Sequence, residues 1–258
     1  MKMDLLTAIE NRHAYNGFHT NEPVTQEELE MLLKAFNKAP SQFNSQPWKI
    51  VIIQDPARKK KLAEYCGDAM RIAMQRGEFW KKYGKYFYHD TRGETIKNGM
   101  GMKVDNVPNV LKKIINFIIT NKSLSLIRER GVPVLLGSEN KKLVESSPVC
   151  LAMFLRKEDY NHNDNSAFYS TLSLGMAVEN MWLMATSLNI GMQFMSMPME
   201  VPEIWNEISK MLECKDEYEM VALMRLGHKP KKEIRPVLDW TSPDRLPLSE
   251  WTSNEVFK

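Results

Sequence analysis

The longest run of helical sequence, residues 167–188, is apolar nearly all the way round. A helix without a polar face has to be covered on every side, by its own domain or by a second chain. Small residues along it, Ser166, Ala167, Ser170, Ser173, Gly175 and Ala177, let another helix approach closely, so a core or subunit-interface position is expected. The 258 residues suffice to surround such a helix in one large domain without disulfide staples.

The flanking sequence supplies both helices and strands. Residues 4–11 read as a short helix, and Thr25 with Glu28 forms a capping box ahead of Leu29, Leu32, Leu33 and Phe36 at helical spacing. Strands are expected at 48–53, 149–155, 192–197 and 219–226. Asp55-Pro56 marks a further helix start, and another helix spans 201–212 before a Pro-rich tail. The class is therefore α+β, in a single domain over 1–258.

Most protein-borne chemistries lack their residues. No two of the five histidines fall four residues apart, and there is no CxxC, so a metal site is not expected. GxSxG, GxxxxGK[ST] and GxGxxG are all missing. If the chain is an enzyme, a bound cofactor carries the difficult step. Three scattered cysteines point to a reducing compartment, and Asp4 and Glu10 interrupt any apolar signal segment, so a cytoplasmic location is expected. A net charge of +3 gives no reason to expect a nucleic-acid partner. The greasiest stretches, 114–119 and 132–136, are too short to span a bilayer.

Residues 67–147 have a different chemistry, with 15 Lys or Arg against 8 Asp or Glu. Phe79, Trp80, Tyr83, Tyr86, Phe87 and Tyr88 are interleaved there with Lys81, Lys82 and Lys85. Such a segment reads either as a basic, aromatic lid over a ligand or as an extra helical hairpin with a solvated face. Residues 110–119 could also rest on a membrane surface, the less favoured reading.

Residues 39–48, Ala-Pro-Ser-Gln-Phe-Asn-Ser-Gln-Pro-Trp, resemble the APSxxNxQPW segment of the nitroreductase family of FMN-dependent oxidoreductases. Arg12-His13, the Leu-Asn-Ile-Gly of 188–191, the Leu-Gly-His-Lys-Pro of 226–230 and the Arg-Leu-Pro-Leu of 245–248 match further family motifs in the right order. The resemblance implies a mixed sheet flanked by helices, a largely helical insert and a C-terminal arm. It also implies a homodimer with FMN at the subunit interface and NADH or NADPH as electron donor.

The same resemblance implies cofactor contacts at Arg12, His13, Asn16, Pro40, Ser41, Gln42, Asn44, Gln46, Ser196 and Arg245. Guanidinium groups suit a phosphate because they donate paired hydrogen bonds, and Arg12 and Arg245 fill that role. The family's usual hydroxyl and second base after the first Arg are Ala14 and Asn16 in this chain, which leaves His13, Arg235 or Lys231-Lys232 to compensate. Asn44 can meet the alternating donors and acceptors of a flavin edge. Ser196, on the strand after the long helix, is the candidate catalytic contact to flavin N5, or else a serine bonded within its own strand. Methionines at 176–199 line a substrate pocket or fill the core, the latter being favoured.

The expected activity is reduction of nitroaromatic, quinone or related small aromatic acceptors by a ping-pong cycle. The rivals are reductive dehalogenation of halophenols and flavin binding without turnover.

Overall fold

A computed structural model describes residues 3–77, 82–83, 103–104, 131–236, 240–241 and 245–253. Its helices are α1 (Leu5–Asn11), α2 (Gln26–Phe36), α3 (Pro56–Arg76), α4 (Val132–Glu145), α5 (Ser166–Ser187) and α6 (Pro202–Met211). The strands are β1 (Trp48–Ile53), β2 (Lys103–Val104), β3 (Val149–Arg156), β4 (Ile190–Phe194), β5 (Tyr218–His228) and β6 (Trp240–Thr241). Local chemistry sets several boundaries. Asp4 and Asp55 cap α1 and α3 through their carboxylates, and Thr25 and Glu28 close the expected capping box on α2.

β1, β3, β5 and β4 form one sheet in that order, and β2 pairs with β6 in a second, two-stranded one. Every pairing is antiparallel. The mixed sheet expected from the resemblance is thus antiparallel throughout among the described residues. Helices cover both faces of the four-stranded sheet. Val149, Leu151, Met153 and Leu155 of β3 pack with α2 and α5 on one side, while Cys150, Ala152 and Phe154 pack with α3 and α6 on the other. Burial on both faces explains why β3 reads as an unbroken apolar run rather than an alternation. The register between β3 and β5 shifts at Met153 and Phe154, where Val221 is the extra residue on β5, a bulge that puts Met220 on the same face as Leu223.

Two expectations are corrected by this architecture. The strand after the long helix ends at Phe194, not Met197: the Met195 N–H makes one last bond to the Leu223 carbonyl at 2.8 Å, and Ser196 then takes helical backbone angles that carry the chain off the sheet. The chain turns instead, and the Met199 N–H donates to the Ser196 carbonyl. The segment 67–147 is also narrower than its charge suggests. Residues 67–76 complete α3, and α4 packs along them. Gly67 and Gly137 face each other where these helices touch: a Cβ on Gly137 would lie 2.7 Å from the Gly67 carbonyl oxygen. The remainder of the proposed lid and the segment 110–119 lie outside the described residues, except for Lys82, Tyr83 and the two-residue strand β2.

The long helix α5 is left open over its N-terminal half only. Ala177, Met181 and Ala185 are buried, whereas Phe168 is 65% and Leu172 50% exposed in the single chain. Among the described residues no helix is long and apolar enough to cross a membrane.

Candidate functional site

Two cavities open beside the segment that leads from α1 toward β4. The first, about 460 Å³, is lined by Arg12, His13, Asn189, Lys229 and Arg245, with the Glu10 carboxylate also at its wall. Its cationic and amide donors are the chemistry a phosphate requires. Arg12 lies at the C-terminal end of α1, with its guanidinium over the Trp182 ring at 5.5 Å and its Nε 3.0 Å from a Glu179 carboxylate oxygen. That approach is out of line for a hydrogen bond, so the buried Arg12 Nε has no hydrogen-bond partner among the described residues. His13 is exposed, with Nδ1 2.8 Å from the Asn11 carbonyl oxygen.

The second cavity, about 270 Å³, is lined by Ala14, Asn16, Gln193, Ser196 and Arg225, with Met70 and Met74 of α3 beside them. Residues 12–16 thus serve both spaces, Arg12 and His13 the basic one and Ala14 and Asn16 the amide-lined one. Gln193 Nε2 donates to Asn16 Oδ1 at 2.6 Å. Asn16 therefore stands beside ring-sized space rather than among the phosphate donors. Ser196 lines the same cavity from the turn that follows β4.

The remaining expected contacts sit elsewhere on the chain. Pro40, Ser41, Gln42, Asn44 and Gln46 belong to the turn between α2 and β1, and none of them lines either cavity. Ser41 Oγ accepts from the Gln46 N–H at 3.0 Å, and Gln46 Nε2 donates to Asn44 Oδ1 at 3.1 Å. Phe43, Asn44 and Gln46 all have left-handed backbone angles, and Phe43 is 95% exposed. A bulky residue in that conformation is strained, at about 1–3 kcal/mol. Of the bases suggested to compensate for Ala14 and Asn16, His13 lines the basic cavity and the others line neither cavity. Arg235 pairs with Glu233 at 2.8 Å, and Lys231 and Lys232 are exposed, while Lys229 takes the place at the cavity.

Arg225 was not anticipated. It is fully buried, and its five N–H groups reach Gln193 Oε1, the carbonyls of Leu143 (3.2 Å), Tyr15 (2.9 Å) and Gly17 (3.1 Å), and the Ser147 hydroxyl (3.4 Å). Burial pulls its pKa down to about 10, so it stays charged at neutral pH. The signal in the sequence was a lone arginine inside the otherwise apolar run at 220–227. His19 lies against the same guanidinium. Its Nε2 faces the Gly191 carbonyl at 3.1 Å and its Nδ1 faces Arg225 at 3.3 Å. A carbonyl only accepts and a guanidinium only donates, which assigns a neutral imidazole with the proton on Nε2. Burial, and then the charge of Arg225, push the His19 pKa down to about 3. Burial also raises the Cys66 thiol and takes Cys150 up to about 12, so neither supplies a thiolate.

Lys82 and Tyr83 contact the turn that follows β4. The Lys82 ammonium is 3.0 Å from Glu200, and the Tyr83 hydroxyl donates to the same carboxylate. Glu200 closes the turn that begins at Ser196. Among the described residues no cluster of His, Cys, Asp and Glu could hold a metal ion.

A helix-covered antiparallel sheet, with a basic cavity and an amide-lined cavity side by side near the edge strand β4, defines an α+β protein suited to a planar ligand with a phosphate tail. The chain belongs to the nitroreductase family, whose model matches residues 9–228. It is similar to a putative NAD(P)H nitroreductase, YfkO, of Bacillus subtilis, with 34% identity over 71 residues, 28% of this chain. That match spans about a third (32%) of the relative's length. Among solved structures it resembles NfrA2 of B. megaterium, with a TM-score of 0.60, 16% identity, and coverage of 99% of this chain and 76% of that one. It also resembles an iodotyrosine deiodinase bound to FMN and 3-iodo-L-tyrosine, with a TM-score of 0.54, 17% identity, and coverage of 99% and 97%. At these identities the structural likeness is one of fold.

Proposed function

We propose that the chain is an FMN-dependent NAD(P)H oxidoreductase that works as a homodimer. The observation that carries this is the division of residues 12–16 between a cavity with phosphate donors and a ring-sized cavity bearing Ser196. The residues present suit FMN: Arg12, whose buried Nε is paired with Glu179 but makes no hydrogen bond among the described residues, together with Lys229 and Arg245 would hold the phosphate, and Asn16 and Gln193 would face the ring. When bound, the flavin accepts hydride from a nicotinamide and passes electrons to an acceptor. The protein's part is to bind, orient and exclude water. Met70, Met74 and Met195 give the ring cavity an apolar wall, and Ser196 offers a hydroxyl at its edge. The dimer is supported by the exposed apolar side of α5. It is supported again by the turn carrying Pro40, Ser41, Gln42, Asn44 and Gln46, which lines neither cavity of its own chain and would reach the partner's.

The acceptor class is small and aromatic, nitro compounds and quinones first, in a ping-pong cycle where donor and acceptor take turns in one space. A second reading, reductive dehalogenation of a halophenol, is favoured by the Ser196 hydroxyl at the ring cavity. The test is to purify the protein, record its visible spectrum with and without added FMN, and follow NADPH oxidation with menadione, nitrofurazone and iodotyrosine. Yellow protein consuming NADPH with the first two supports the leading reading, and iodide release supports the second. A protein that takes up no FMN, or holds it without turnover, rejects both.

A further inference from the structure

Arg225 has no charged partner among the described residues. All the groups its guanidinium meets are neutral: three carbonyls, a hydroxyl, a neutral imidazole and the Gln193 amide. A buried ion without a counter-ion is costly, and hydrogen bonds only partly offset that cost. The carbonyls of Leu143, Tyr15 and Gly17 account for much of the guanidinium as a tie between α4, the segment after α1 and β5. They do not account for Nε, which donates to Gln193 Oε1. This bond fixes the Gln193 amide, because turning it over would set its NH2 against the guanidinium. Its Nε2 is thereby aimed at Asn16 Oδ1. Arg225, Gln193 and Asn16 all line the ring cavity.

We infer that Arg225 is a positioning residue for this cavity: it orients Gln193 and Asn16, and its uncompensated charge makes the site hold reduced flavin more tightly than oxidised flavin. The inference rests on the proposal that FMN occupies the cavity. A positive charge in low-dielectric surroundings stabilises the more electron-rich form of a nearby ligand and so raises its midpoint potential. The substitution that neutralises the charge in place is Gln193→Glu. It leaves the guanidinium and its backbone contacts in place and supplies the missing counter-ion.

The experiment compares wild type, Gln193→Glu, Arg225→Met and Arg225→Lys. It measures FMN affinity by fluorescence titration, the midpoint potential of the bound flavin against a reference dye, and the melting temperature of the FMN-free protein. Gln193→Glu is expected to cut the preference for reduced over oxidised flavin by at least about tenfold, a fall of about 30 mV for a two-electron couple, without lowering the melting temperature. Arg225→Met is expected to shift the potential in the same direction while destabilising the fold, and Arg225→Lys to restore most of the potential. Should Arg225→Met not fold, Gln193→Glu still decides the matter. Potentials equal to wild type in FMN-loaded Gln193→Glu and Arg225→Met, with a lowered melting temperature in the latter, would make Arg225 purely structural and leave the FMN assignment standing. Wild-type protein that binds no FMN overturns that assignment and this inference together.

Discussion

His19 shows how much a single side chain's chemistry depends on what is folded against it. Its pKa is about 3 in the folded chain, against about 6.5 unfolded. Between those values the unfolded state binds a proton that the native state refuses. Stability is unaffected above about pH 6.5 and falls as the pH drops from there toward 3, by up to about 1.4 kcal/mol per unit from this residue. Urea denaturation at pH 7.5, 5.5 and 4.5 is expected to show that decline, and His19→Gln to flatten it while lowering stability at pH 7.5. Nothing beside His19 in the sequence announced this, since Arg225 is 206 residues away. Arg12 and Arg245 were legible because motif context singles them out. Arg225 was visible only as an anomaly in an apolar strand, with no clue to what its charge would face.

At the scale of elements, local signals read well. The caps at Thr25 and Asp55 act through neighbours three residues away, and the apolar spacing of α2 and the β-branched run of β1 depend on nothing distant. Composition did less well at 67–147, where average charge hid a continuous helix. The tight contact between Gly67 and Gly137 is a pairing across 70 residues that no window detects. Gly137→Ala is expected to force α3 and α4 apart and cost about 1–3 kcal/mol, read as a lower melting temperature. Val134→Ala on the exposed side of α4 is expected to leave it nearly unchanged. The end of β4 was misjudged for a related reason. Residues 192–197 look apolar enough for a strand, but Ile190 and Met192 already fill the core and the backbone turns helical at Ser196, which places that residue on the cavity wall.

For the whole molecule, the unfinished surface is the informative feature. Phe168 and Leu172 on α5, Leu5, Leu6 and Ile9 on α1, and Phe43 on the strained turn are exposed apolar side chains. α1 and the turn both contact α5. A second copy is the proposed cover. Wild type is expected to sediment as a dimer, and the double substitution Leu172→Glu with Phe168→Glu to yield a folded monomer that binds FMN at least about tenfold more weakly. Wild type that sediments as a monomer and binds FMN fully would reject the shared site.

The amino-acid order alone determined the helices and their caps, the strand-forming runs and the family motifs, because each depends on residues a few positions apart. Which part of α5 stays open, where β4 stops, and how an arginine comes to sit among neutral described partners behind Gln193 were decided by tertiary packing. The groups responsible are brought together from as far as 210 residues apart, as Arg225 and Tyr15 are. Burial and hydrogen-bond partnership belong to that assembled neighbourhood rather than to any stretch of chain.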